Sequence, residues 1–372
     1  DLSTNLEFHY GLVNWFIGNN INARPTTKFI VPYLTAVGLL KETTNNLDIT
    51  YAYQRICNGL LSSTENEDEK FAMQEVLARK QLLLSRPIER LFSEPHVLSG
   101  WLSTNQHNFS IDENGSVFWL ENPMQVLADT YHYLNMSFDK NAPAATMIWD
   151  HDNEVLQASL EFYAELEKRL AEHGQADLDY IEVSEILDGP APEGFEDDMW
   201  ESIQNAHLGY QAGCEILSLL PFTAYKTEFF QLNVNEDLSV FIPEKLFDET
   251  LQVKMAKVLV PPPVAKSDEI LAASGGMFYS CEAPGMPPFV EEGTHFNAGD
   301  PLYIVEVMKM FNKIYAPFSG TIKQVLLSED GTIIKKGQPL YKITPDEIVI
   351  EESPADITAR RESQTDAFLT SL

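Results

Sequence analysis

Residues 268–345 contain the same half-domain twice, and this duplication limits the fold more than any other feature of the chain. Gly293-Thr294 with Gly299-Asp300-Pro301-Leu302-Tyr303 returns as Gly331-Thr332 with Gly337-Gln338-Pro339-Leu340-Tyr341, at an offset of 38. Upstream, Ser274-Gly275-Gly276-Met277-Phe278 parallels Phe318-Ser319-Gly320-Thr321-Ile322 at an offset of 44. Two short β halves with glycine turns at matching places cannot each bury enough apolar surface alone. They must pack face to face, as a pseudo-twofold flattened all-β barrel. The offsets differ by six residues, which places an insertion in the first half between Tyr279 and Phe289. Its Pro and Gly residues predict an ordered, protruding loop.

The symmetry puts the link between the halves, Glu306 to Lys313, at one end of the barrel. Tyr303-Ile304-Val305 and Ile314-Tyr315 read as strands around a tight turn, with Lys309 at the tip. A lysine held out on a rigid hairpin can be modified and can reach into another protein's active site.

The chain has 372 residues, more than one compact core usually holds. The fold class expected is α+β multidomain. Residues 1–259 read as a mainly helical domain with two β-hairpins. Phe8, Leu12, Trp15 and Phe16 recur at helical spacing. An acidic run from Thr64 to Glu69 suits the start of a helix that Pro87 should kink or end. Leu156, Leu160, Tyr163 and Leu170 form a helical stripe, stopped at Gly174. Asn114-Gly115, between Phe109-Ser110-Ile111 and Val117-Phe118-Trp119, predicts a hairpin with a tight primed turn. Leu232 to Phe241 looks like a second one, and the pair reads either as a duplicated unit of one small sheet or as chance likeness between hairpins. Val260 to Lys266, with three consecutive prolines, reads as a semi-rigid linker at 260–267. Residues 346–372 read as an acidic tail, mobile or an isolated helix.

Composition narrows the functions. With 25 basic and 56 acidic residues the net charge is −31, which a nucleic acid or an anionic membrane would repel. No segment is apolar enough for long enough to span a membrane. Cys57, Cys214 and Cys281 have no metal-ligand spacing, and fit a reducing, cytoplasmic compartment. The chain starts at Asp1 without Met, signal or transit peptide, and reads as a fragment or a processed product. It has no Gly-rich phosphate loop and no evident nucleophile motif. Its eight histidines are scattered, with only Tyr131-His132-Tyr133 and His151-Asp152 in suggestive company. Trp101-Leu102 and Phe118-Trp119-Leu120 read as core packing ahead of interface.

Glu306-Val307-Met308-Lys309-Met310 resembles the Glu-Ala-Met-Lys-Met signature of biotinyl domains. Phe278-Tyr279, Gly293, Gly299, Ile304, Ala316-Pro317 and Gly320-Thr321 fit the same family, over about 75 residues. Lipoyl domains share the barrel, but their acceptor resembles Asp-Lys-Ala and lacks the flanking methionines. The inserted loop looks like the "thumb" of the carrier protein of bacterial acetyl-CoA carboxylase, which carriers of other biotin enzymes generally lack. Two departures stand out. Val307 replaces the usual Ala, which bears on recognition by the ligase. Ala272-Ala273-Ser274-Gly275 replaces the usual stretch before the first glycine, so the first strand is expected to be irregular.

The resemblance implies biotin on Lys309 and a recognition turn for biotin protein ligase made of Glu306, Val307, Met308 and Met310. It also implies a thumb of Pro284, Gly285 and Met286 near the biotin. Biotin would take a carboxyl group at a biotin carboxylase site and deliver it at a carboxyltransferase site, in an acyl-CoA carboxylase with acetyl-CoA favoured. The alternatives are the carrier of another biotin enzyme (a pyruvate carboxylase or a decarboxylase pump), or an interaction module whose carrier serves a separately encoded enzyme. The ATP-grasp pattern of biotin carboxylases is absent, so no complete active site is expected. Thr4 to His9, with Pro25 to Ile30, faintly resembles the tail of biotin carboxylase domains and supplies no functional residue.

Overall fold

The computed structural model describes residues 5–62, 67–134, 146–261, 268–283, 285–347 and 352–372. It divides into two compact units, Asp1–Leu259 with Pro354–Leu372, and Val260–Ser353. Several sequence features lie outside the described residues: 64–66 of the acidic run, 262–267 of the expected linker, Pro284, and the side chains of His151 and Asp152.

The first unit is helical: α1 (Leu6–Asn19), α2 (Ile30–Thr44), α3 (Ile49–Ser62), α4 (Glu67–Ser93) and α5 (Pro95–Asn105) precede the hairpin β1 (Phe109–Ile111) and β2 (Val117–Trp119). Then come α6 (Pro123–Tyr133), α7 (Thr146–Glu172), α8 (Tyr180–Leu187), α9 (Asp197–Thr227), the hairpin β3 (Asn233–Val234) and β4 (Val240–Phe241), and α10 (Glu249–Leu259). Local chemistry sets several starts. Pro95 and Pro123 stand in first turns, where a missing N–H is no loss. Asp179 and Glu182 close a reciprocal capping box at α8. Pro87 does not end α4, which runs on to Ser93.

Much of the core packs on α9, whose Ile216, Leu217, Leu220 and Phe222 are fully buried with Trp15, Trp101, Leu102 and Tyr131. Two aromatic polar tips are satisfied inside it: Trp101 Nε1 donates to Thr130 Oγ1 at 2.9 Å, and Tyr131 Oη donates to the Leu83 carbonyl at 2.9 Å, whereas Trp15 Nε1 is buried without a partner among the described residues. Trp119 is core, whereas Phe118 and Leu120 are exposed.

Two sequence expectations need correcting here. The hairpins form separate two-stranded sheets, so of the two readings of their likeness that of one small sheet falls away. Their loops are also wider than a two-residue primed turn. Asp112 N donates to Ser116 O, Gly115 N donates to Asp112 O, and Gly115 takes φ +93, a turn closed by one left-handed residue. Leu238, at φ +68, stands at the same place in the second loop. The Asp112 carboxylate accepts from Asn114 N and Ser116 N, and this favours the wider loop.

The acidic tail is the second correction. Pro354–Thr370 forms α11 and packs on the helical unit. Thr365 and Phe368 are buried, Phe368 meeting the Phe222 ring edge-on at 5.1 Å. Thr365 Oγ1 accepts from Asp48 N, and Arg361 donates to the Leu47 carbonyl. Phe368 supplies the buried apolar contact with Leu369 half-buried beside it, and hydrogen bonds at Thr365 and Arg361 add to it.

The second unit has two four-stranded sheets. One runs β5 (Glu269–Leu271), β12 (Pro339–Pro345), β10 (Gly320–Val325), β7 (His295–Phe296). The other runs β9 (Met310–Tyr315), β8 (Pro301–Val307), β6 (Gly276–Tyr279), β11 (Thr332–Ile334). The sequence offsets turn one order into the other, and the registers follow. Phe278↔Val305 matches Ile322↔Ile343, Gly276↔Ile334 matches Gly320↔Phe296, and Ile304↔Lys313 matches Lys342↔Glu269. Gly276 and Gly320 are also equivalent: a Cβ would fall 2.5 Å from the Glu306 carbonyl oxygen and 2.9 Å from that of Thr344, so both strands cross at glycine. The inner faces meet in a core of Phe278, Tyr303, Val305, Phe296, Ile322, Tyr341 and Ile343. The expected irregularity at Ala272–Gly275 is the passage from β5 in one sheet to β6 in the other.

Candidate functional site

The two halves join at Met308-Lys309. Val307 pairs with Met310, leaving only these two residues as the loop between β8 and β9. Both are left-handed, with φ +49 at Met308 and +66 at Lys309, the geometry of a primed turn built without glycine. Left-handed L-residues cost on the order of 1 kcal/mol each. Met308 is 92% exposed, and Lys309, Met310 and Phe311 are exposed beside it. Glu306 and Val307 are half-buried at the end of β8.

The turn lies at the far end of the sandwich from where the chain leaves it. Asp346 N donates to Ser319 O, and Ser319 Oγ accepts from Ala298 N. Ala316 N donates to Asp300 O, so the exit lies where β8 begins. The length of β8, roughly 20 Å of strand, separates that end from the turn.

The six-residue insertion starts after β6 and is fixed at its root. Ser280 O accepts from Phe289 N, closing the loop, and Ala283 O accepts from Met286 N. The Asp330 carboxylate accepts from Ser280 N at 2.6 Å, Ser280 Oγ at 2.8 Å and Cys281 Sγ at 3.3 Å. These bonds hold the Asp330 carboxyl below its usual range, while its carboxylate pushes the Cys281 thiol up. Gly285 is left-handed at φ +89, and Met286 is exposed beside it.

Two side chains, Lys313 and Tyr279, tie this loop and β6 to the hairpin that carries the turn. Lys313 Nζ on β9 donates to Glu282 Oε1 at 2.8 Å and lies 5.5 Å from the Phe289 ring centroid. Glu282 holds the Lys313 ammonium above its ordinary value. The Tyr279 hydroxyl donates to Glu306 Oε2 at 2.7 Å, and that carboxylate raises the phenol's pKa. The Tyr279 ring packs on Phe311 at 5.7 Å.

The structure therefore brings Glu306, Val307, Met308, Lys309 and Met310 onto one hairpin end, and anchors the loop bearing Gly285 and Met286 to the same hairpin. Sequence reasoning gave no role to Asp330, Lys313 or Glu282, and took Tyr279 only as part of the family resemblance. For Asp330 a signal existed: acidic residues precede the turn glycine in both halves, Glu292-Gly293 and Asp330-Gly331. Glu292 does the equivalent work, accepting from Val325 N. Lys309 presents an amine suited to amide formation, with no neighbouring residue closing over it within the described turn. Among the described residues no group of His, Cys, Asp and Glu could hold a metal, and no helix is long and apolar enough to cross a membrane.

Comparison with known proteins adds a family match, three relatives and one solved structure. Residues 269–343 match the family described as biotin-requiring enzyme. The biotin carboxyl carrier protein of acetyl-CoA carboxylase 2, chloroplastic, of Arabidopsis thaliana is 44% identical over 70 residues, covering 19% of this chain and 27% of that protein. The carrier protein of Pseudomonas aeruginosa acetyl-CoA carboxylase is 46% identical over 68 residues, 18% of this chain and 43% of that one. That of Cyanidium caldarium is 26% identical over 144 residues, 39% of this chain and 92% of its own length. The chain thus spans less than half of the first two relatives. A solved single-chain, multi-domain long-chain acyl-CoA carboxylase is 22% identical over 35% of this chain and 12% of that one, with a TM-score of 0.18, too low to carry a fold argument.

Proposed function

From a C-terminal domain of the biotin-requiring enzyme family, residues 269–343, we propose that this chain carries biotin as an amide on Lys309 and acts as the carboxyl carrier of an acyl-CoA carboxylase, with acetyl-CoA the favoured substrate. The carrying observation is the exposed Lys309 amine on a two-residue turn, between methionines, at the end of the sandwich away from its chain attachment. Bound there, biotin supplies a site for a carboxyl group that can travel between two active centres.

The chain's own residues would do the rest. Met308, Met310, Glu306 and Val307 would present the turn to biotin protein ligase. The stiff hairpin would hold the amine away from the sandwich body. Tethering to one polypeptide would keep the arm at high local concentration near biotin carboxylase and carboxyltransferase partners. The loop of Gly285 and Met286, rooted through Asp330 and Lys313, would stand beside the arm as the thumb does in acetyl-CoA carboxylase carriers. That loop favours the acetyl-CoA reading over a pyruvate carboxylase or a decarboxylase pump. The helical unit would join the carrier to its partner domains.

The test is the intact mass after co-expression with a biotin ligase. A gain of about 226 Da, one biotin less water, is expected on Lys309, and none in Lys309→Arg. Unchanged mass in the wild-type chain, or labelling that survives in the arginine variant, overturns the assignment.

A further inference from the structure

A second site lies in the helical unit, far in sequence from the turn. Lys80 on α4 is only 8% exposed. Its ammonium donates to the Gly209 carbonyl at 2.8 Å and stands 3.5 Å from the centroid of the Tyr210 ring. No carboxylate pairs with it among the described residues, although acidic residues outnumber basic ones by 56 to 25. A buried cation without a counter-ion is costly, and an ammonium has three donors, of which one is bound and one faces a ring.

Lys80 lines a cavity of about 530 Å³, open to solvent, whose other walls include Met73, Val76, Val155, Ala158 and Leu208. Gly209 is matched to the head of the lysine: a Cβ there would stand 3.2 Å from Nζ and 3.6 Å from Val76. The site thus has one buried positive charge at an otherwise mainly apolar slot, within the usual size range of small-molecule pockets.

We propose that this cavity binds an aliphatic monocarboxylate, its carboxylate paired with the Lys80 ammonium and its chain against Met73, Val76 and Leu208. Such a ligand supplies the counter-charge that no described residue gives and covers the apolar walls in one step. A neutral alcohol of equal length would cover the walls only, and an alkylammonium would be repelled. Burial lowers the Lys80 pKa to about 8. A bound carboxylate favours the charged amine, so binding near pH 8 takes up protons, and affinity falls as pH rises above that value.

The full chain is titrated calorimetrically with sodium decanoate, decanol and decyltrimethylammonium at pH 7, and with decanoate again at pH 9.5. Expected are one decanoate site, at least tenfold weaker binding of decanol, no binding of the ammonium, and at least fivefold weaker decanoate binding at pH 9.5. Lys80→Met, which keeps the volume, should lower decanoate affinity at least tenfold and leave decanol unchanged. Ala158→Trp blocks the mouth without touching Lys80 and should abolish both, which keeps the test decisive if the first variant misfolds. Equal affinity for decanoate and decanol, no saturable binding, or wild-type decanoate affinity in Ala158→Trp overturns the proposal.

Discussion

The carbonyl of Phe278 accepts a hydrogen bond from Gly331 N at 2.7 Å, and the carbonyl of Ile322 accepts one from Gly293 N at 2.8 Å. The two residues hold one position of a duplicated half, each fully buried in the shared core. Truncating either should therefore damage the same unit. Phe278→Ala is expected to cost about 3–5 kcal/mol and Ile322→Ala about 2–5 kcal/mol, comparable to the whole stability of a small domain. The helical unit has its own core, so its transition should not move. Scanning calorimetry of the full chain checks this: loss of one transition with the other fixed is expected, and coupled loss of both would contradict two independent cores.

Asp330 is expected to control the inserted loop. It binds three donors at the loop's root, yet is itself exposed, so its stabilising effect is about 1 kcal/mol or less. Asp330→Ala should speed amide exchange at Phe289, whose N–H closes the loop onto Ser280, while exchange in β8 and β12 stays slow. The pH dependence follows from the sign. The folded carboxyl titrates below its unfolded value, so its contribution is complete above the ordinary carboxylate range and is lost as pH falls through the lower, folded value. The loop should loosen below about pH 4 in the wild-type protein, and show no such acid step in the variant, as read by the amide resonance of Ser280.

How far the sequence carried depended on the range of the interaction. The sheet unit was legible because a repeat fixes strand order: once Gly276 aligns with Gly320 and Tyr303 with Tyr341, the registers of both sheets are set. The Met308-Lys309 turn followed from the same symmetry. Cross-links such as Tyr279 to Glu306 or Lys313 to Glu282 have no sequence signal, since they join residues 27 and 31 apart through folded geometry. In the helical unit, periodicity located elements such as α1 and the end of α7 near Gly174, but not their packing. Lys80 was invisible, because burial of a lone lysine depends on which helices surround it. The loop at Asn114-Gly115 was misjudged because the Asp112 side chain, two residues earlier, selects the wider turn.

The C-terminal helix shows that a polar composition does not exclude a structural role. Phe368 packs edge-on against Phe222, and Tyr51 and Arg55 of α3 both bond Asp366. Phe368→Ala should destabilise the helical unit by about 3 kcal/mol, at the lower end for a buried aromatic because one face remains near solvent. Asp366→Asn, at an exposed pair, should cost under 1 kcal/mol. Urea unfolding followed by far-ultraviolet circular dichroism distinguishes them. Equal, negligible effects would return α11 to the status of a detached tail.

The turn that bears Lys309 should be improvable in stability at a cost in recognition. Met308 occupies the first left-handed position of a primed turn, where asparagine is preferred because its short polar side chain tolerates that conformation. Met308 is also almost wholly in solvent, so its replacement removes little packing. Met308→Asn is expected to raise the unfolding free energy of the sheet unit by a few tenths to about 1 kcal/mol. Met308 stands against its own backbone preference, and on the carrier reading the reason is recognition by the ligase. The same variant should therefore be biotinylated several-fold more slowly at sub-saturating ligase while its melting temperature rises. A variant that is both more stable and modified at the wild-type rate would show that the methionine is not read by the modifying enzyme, and would leave the strained turn without a functional account.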